Sequence, residues 1–135
     1  MIPSSNKVVQ LSLAAFSSLP AVLALGCYSR GPTWWQITEF EGFNGYYNTA
    51  WDICKGPSGG SNFYPGTEKS GCLPGTDSRH IDWKIKYNGK QQGVRFDIND
   101  CMNYVQIEMH GCEHGSEQNH DDWWLYLDPN DGKDW

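Results

Sequence analysis

The sequence predicts an α+β fold: one small domain in which two main helices pack with a short antiparallel sheet. Two apolar stripes at helical spacing and one clean strand alternation predict it. The first stripe is Phe43, Tyr46, Tyr47, Ala50, Trp51 and Cys54, and the second is Ile98, Cys101, Met102, Val105, Met109 and Cys112. Between them Ile81, Trp83, Ile85 and Tyr87 alternate with Asp82, Lys84 and Lys86, the period of a strand with one wet face.

The chain opens with a polar stretch carrying Lys7, followed by an interrupted apolar run from Val8 to Leu25 that closes on Ala24-Leu25-Gly26. Those are the three regions of a secretory signal. A membrane span needs about 20 predominantly apolar residues, and this run is shorter and broken. Cleavage after Gly26 is expected, making residues 1–26 a signal peptide and Cys27 the first mature residue. Ala24-Leu25-Gly26-Cys27 fits a lipoprotein box only loosely. The mature part, 27–135, is one small domain that is secreted and extracellular. Its acidic balance (formally −6 for the whole chain) disfavours phosphate backbones and anionic membranes. Neither nucleic acid nor membrane is therefore an expected partner.

Residues 27–37, with Gly31-Pro32 inside them, read as an extended arm. Thr38-Glu39-Phe40-Glu41 has capping-box spacing ahead of the first helix. Gly42 and Gly45 weaken its first turns, and Lys55-Gly56-Pro57 reads as its stop. Residues 57–75 are rich in Gly, Pro and Ser, with Asn62-Phe63-Tyr64 as a short strand. After the 81–87 strand, Asn88-Gly89 signals a hairpin, with Val94 and Phe96 on the return strand. Asp97 or Asn99 caps the second helix, and Gly111 and Gly115 end it. His114 to Asp122 reads as a polar loop, Trp123 to Leu127 as a last strand, and Asp128 to Gly132 as a turn.

Five cysteines, Cys27, Cys54, Cys72, Cys101 and Cys112, all lie in the mature part. In an oxidising compartment they make two bridges and leave one thiol. Spacing alone does not choose the pairing. Both helical stripes contain cysteines, so bridges are expected to tie helices to each other or to the 57–75 loop.

This frame resembles the Y-three-like family of small secreted fungal glycan-binding proteins. The matching residues are Cys27-Tyr28-Ser29, Ala50 to Cys54, Tyr64, Gly66 and Cys72. They continue through Cys101 to Cys112, Gly115, Trp124 and Asp128-Pro129-Asn130-Asp131-Gly132. The likeness spans nearly the whole mature chain and is one of spacing. It implies an α/β sandwich and carbohydrate recognition without catalysis or cofactor, and it assigns no individual contact residue. Where the family carries a terminal Cys, this chain ends Gly132-Lys133-Asp134-Trp135. The resemblance therefore implies that Cys27 is unpaired, with Cys54, Cys72, Cys101 and Cys112 in bridges. A free thiol is compatible with a monomer or a thiol-linked dimer.

Sugars present apolar C–H faces edged by hydroxyls, so a flat indole beside Asp, Asn or Glu suits them. Trp34, Trp35, Trp124 and Tyr126 are the expected glycan-contacting residues. Leu125 and Leu127 share parity with Trp123, which makes Trp124 and Tyr126 the outer pair of the last strand. Tyr46-Tyr47 is a weaker candidate, because both fit a helical stripe. His110, Cys112, Glu113 and His114, with His120, Asp121 and Asp122 after them, have the types of a zinc site, but a secreted Cys is more simply half a disulfide, and no metal is expected. A small ribonuclease-like enzyme is the main alternative. His80, Arg95, Glu108 and His110 supply its residue types and Glu41-Gly42-Phe43 echoes a short motif, without any fixed mutual geometry. A protein-binding effector is the third reading, because an aromatic patch serves it equally.

Overall fold

The computed structural model describes residues 26–38, 42–76 and 78–132; the expected leader apart from Gly26, and Glu39 to Glu41 of the expected capping box, lie outside them. The elements run α1 (Trp34–Ile37), α2 (Gly42–Gly59), β1 (Glu68–Pro74), β2 (Arg79–Tyr87), α3 (Ile98–Gly111), β3 (Ser116–His120) and β4 (Trp123–Asp131). The four strands form one antiparallel sheet in the order β1-β2-β4-β3. The helices cover its inner face, so the domain is a disulfide-bridged α+β sandwich of two layers.

The strand alternation sets that layering. Ile81, Trp83 and Ile85 of β2 and Leu125 and Leu127 of β4 point inward and are buried. They meet Ala50, Ile53 and Cys54 of α2 and Cys101, Val105 and Met109 of α3 in one core. Beyond them Phe96 stacks on Trp123 (centroids 3.9 Å apart), and Phe63 meets Trp123 edge-on at 4.9 Å. Asp97 caps α3, accepting from the N–H groups of Asn99 and Asp100.

Several boundaries differ from expectation. The arm contains α1, because Thr33 and Gln36 form a capping box of their own. Pro57 does not stop α2. It is fully buried within the last turn, where its packing outweighs the hydrogen bond it cannot make. The buried face of α2 runs through Ala50, Ile53, Cys54 and Pro57, so Tyr47 and Trp51 stand on its shoulder, each 46 % exposed.

The Asn88-Gly89 hairpin does not form. Gly89 instead lies against the Tyr87 ring, where a Cβ would sit 2.3 Å from the Tyr87 hydroxyl. Asn88 donates its N–H to the Asp122 carbonyl. Val94 returns only as a single bridge to Phe63. The neighbours of β2 are β4 and β1, the latter drawn from the Gly/Pro/Ser-rich segment. Gly71 makes that edge strand possible: a Cβ there would lie 2.7 Å from the Trp83 indole opposite it. The segment after Gly115 is a strand, β3, and Asp121 (φ 54°) turns it into β4. β4 continues through Asp128-Pro129-Asn130 because β2 pairs with it as far as Asp131. Pro129 lies beyond the end of β3, where β4 is bonded on one side only, so its missing N–H costs nothing.

The bridges are Cys54–Cys101 and Cys27–Cys112, with Cα atoms 5.9 and 5.1 Å apart. This corrects the expected frame: Cys27 is bonded, and Cys72 is the free thiol. The first bridge joins the two packed helices. The second follows from the arm, which pairs Cys27 with Ser116 and Tyr28 with Gly115, beside the C-cap of α3. Cys72 lies opposite Asp82 on the outer face of the sheet, remote from both helices.

Candidate functional site

Cross-strand partners share a face, so the register defines the outer surface. One row reads Glu68, Lys86, Trp124 and Asn119, and the next Ser70, Lys84, Tyr126 and Glu117. A third row holds Cys72, Asp82 and Asp128, and a fourth His80 and Asn130. No helix among the described residues lies over this face.

Two half-buried rings form its centre. Trp124 and Tyr126 stack at 6.2 Å with planes 18° apart. Tyr28 of the arm adds an edge contact to Tyr126 at 6.2 Å, and the Lys84 ammonium lies 5.2 Å from the Tyr126 ring. Hydrogen bonds fix both phenols. The Tyr126 hydroxyl donates to Asp128 at 2.9 Å, and the Tyr28 hydroxyl donates to Glu117 at 3.3 Å. Burial, with these carboxylates beside them, pushes both hydroxyls well above the ordinary tyrosine range. They stay neutral at any physiological pH.

A groove adjoins the aromatic pair at each end. One, of about 570 Å³, lies between the arm (Tyr28 to Gly31) and Asp128 and Asn130 of β4. The other, of about 320 Å³, is lined by Glu68, Lys86, Asn88, Asn119 and Trp124. The surface thus combines two flat rings with carboxylates, amides and lysines able to bond hydroxyl groups.

The expected contact residues divide. Trp124 and Tyr126 take the outer positions that strand parity assigns. Trp34 does not belong to the surface: it is fully buried, and its indole N–H donates to the Cys112 carbonyl at 3.1 Å. The capping box that creates α1 turns it inward. Trp35 is 46 % exposed and stands on α1, so it is not part of the strand rows that make up the sheet face. Tyr46 packs half-buried against the His110 ring at 4.8 Å.

The ribonuclease set is split between layers. His80 faces outward, and Glu108 is buried in the inner layer, where it pairs with His120 at 2.7 Å and accepts from Gln118. Arg95 and His110 are exposed elsewhere. The carboxy-terminal zinc set is likewise dispersed. Cys112 is in a disulfide, His114 bonds the Gly31 carbonyl, and His120 holds Glu108. Asp121 and Asp122 form the β3–β4 turn.

One cluster was missed. His80 and Asp82 alternate along β2, and β1 brings Cys72 beside them. Their ligand atoms all lie within 4.8 Å of one another. Burial, then the Asp82 carboxylate that the thiol bonds, pushes Cys72 up to about 11. The i, i+2 spacing of His80 and Asp82 was a usable signal, but Cys72 joins them only through a strand that the sequence hides. No family model matches the chain, and no curated protein is significantly similar to it.

Proposed function

We propose that the protein is a secreted glycan-binding protein that recognises carbohydrate on the open face of its sheet, without catalysing a reaction. The observation that carries this is the stacked pair Trp124–Tyr126, flanked by acceptors and lying between two grooves. Such rings suit the apolar face of a sugar, and Glu117, Asn119 and Asp128 on the same face offer oxygens that can accept from its hydroxyls. Tyr28 and Tyr126 are already held by carboxylates, so the platform is pre-ordered and loses little freedom on binding. The resemblance to the Y-three-like family points the same way. Secretion is supported by the leader pattern and by the two disulfides, which persist in oxidising compartments. No helix among the described residues is long and apolar enough to cross a membrane.

Docking of a protein partner is the second reading. Tyr47 and Trp51 on α2 favour it, beside a largely apolar groove of about 260 Å³ formed with Ile98.

A glycan array probed with the oxidised protein separates the two. The proposal predicts selective binding that Trp124→Ala abolishes and Trp51→Ala preserves. Absence of binding to every glycan would refute it. Binding that depends on Trp51 instead would move the site to the helical layer.

A further inference from the structure

We propose that Cys72, His80 and Asp82 form a zinc site on the open face of the sheet. The three residues come from two neighbouring strands and offer a sulfur, a nitrogen and an oxygen. All three donor atoms fall within 4.8 Å of one another. A tetrahedral zinc with bonds of about 2.0–2.3 Å holds its ligand atoms about 3.3–3.7 Å apart. Side-chain shifts of about 1 Å therefore close the site.

The histidine is oriented for the task. Its Nδ1 lies 2.7 Å from the Gly132 carbonyl, which can only accept, so Nδ1 carries the hydrogen. The nitrogen turned toward the cluster is then Nε2, 3.1 Å from the Asp82 carboxylate. A ring held through one nitrogen and presenting the other is the usual outer-shell arrangement of a metal-bound histidine. The ring is buried, which keeps it in place. Asp82 is itself held by the Asn130 amide at 2.9 Å. Each oxygen and nitrogen donor thus has an outer-shell partner before any metal arrives.

The donor set selects the ion. Magnesium and calcium take oxygen ligands, whereas a thiolate with imidazole and one carboxylate suits zinc. Binding replaces the thiol proton of Cys72, which passes to solvent as the sulfur–zinc bond forms. Three protein ligands leave the fourth tetrahedral position for water. The site also gives the free thiol a role that no disulfide fills.

The test is a titration of the oxidised protein with zinc by calorimetry and with cobalt(II) by absorption. One equivalent of metal is expected, with a near-ultraviolet sulfur-to-cobalt charge-transfer band and the visible bands of a tetrahedral site. Cys72→Ser should remove the charge-transfer band, and Cys72→Ser and His80→Gln should each weaken zinc binding by at least about tenfold, the lower bound for loss of even an outer-shell partner. Zinc should also protect Cys72 of the unmutated protein from alkylation, a readout that does not depend on either variant folding. Absence of the band and of protection at millimolar metal would overturn the assignment. So would zinc binding of equal strength in both folded variants.

Discussion

At the scale of single residues, the buried pair Glu108–His120 is the most exacting arrangement outside the outer face. Glu108 is 2 % exposed, one of its oxygens has no partner, and His120 also stacks on Tyr104 at 4.6 Å. Removing one member of such a pair leaves a buried group uncompensated. His120→Ala should therefore destabilise the fold by about 3–5 kcal/mol, measured by chemical denaturation. A loss below about 1 kcal/mol would mean that water reaches Glu108. On the outer face, the raised ionisation of Tyr28 and Tyr126 has a spectroscopic consequence. An alkaline titration followed at the phenolate absorbance should find these two among the last tyrosines to ionise, above the ordinary value of about 10. Their folded values are raised, so the stability they contribute is present at neutral pH. It is lost as pH rises from the unfolded tyrosine value of about 10 through those raised values. Tyr126→Phe should remove one late step, and an unchanged curve would contradict the assignment.

At the scale of elements, β1 depends on Gly71. Gly71→Ala drives a methyl group into the Trp83 indole and should cost about 1–3 kcal/mol, with the sheet otherwise intact. The Cys54–Cys101 bridge ties α2 to α3. Replacing both cysteines by serine should cost about 2–5 kcal/mol, read as a lower thermal or denaturant midpoint. Peptide mapping of the oxidised protein should return Cys27–Cys112 and Cys54–Cys101 with Cys72 alkylatable. What was legible in the sequence follows a similar division. Both main helices and β2 were readable through local periodicity, although α2 buries Ile53 and Pro57 and leaves Tyr47 and Trp51 of its expected stripe exposed. The parity of Trp124 and Tyr126 was readable for the same reason. β1 was not, since it owes its existence to a glycine that makes room for a tryptophan twelve residues away. β3 is polar on both faces and is specified by its neighbour β4 and by the arm. Trp34 was misplaced because a capping box at Thr33 and Gln36 converts an apparent arm into a helix.

At the scale of the whole molecule, the proposed recognition face and the bridged helical layer are the two sides of one sheet. The helices, both disulfides and most of the core lie on one side. That leaves the outer side free to carry aromatic, acidic and amide groups without helix cover. The start of the expected mature chain is built into this fold. The Gly26 carbonyl accepts from the Glu117 N–H at 3.1 Å, and Cys27 is bridged to Ser116 and bonded to Cys112. Cleavage after Gly26 would give up one edge hydrogen bond and keep the arm stapled. Expression with its own leader in a eukaryotic secretory host should therefore release a stable chain whose first residue is Cys27, as read by intact mass. Retention of the leader would contradict the signal-peptide reading.

The most direct measurement of the central claim is a titration of the isotope-labelled protein with neutral oligosaccharides, followed through the indole N–H signals. The account predicts that the Trp124 signal moves with a selective ligand while the buried Trp34 signal stays fixed. Shifts confined to Trp35 or Trp51 on the helical layer, or no shift with any oligosaccharide, would contradict it.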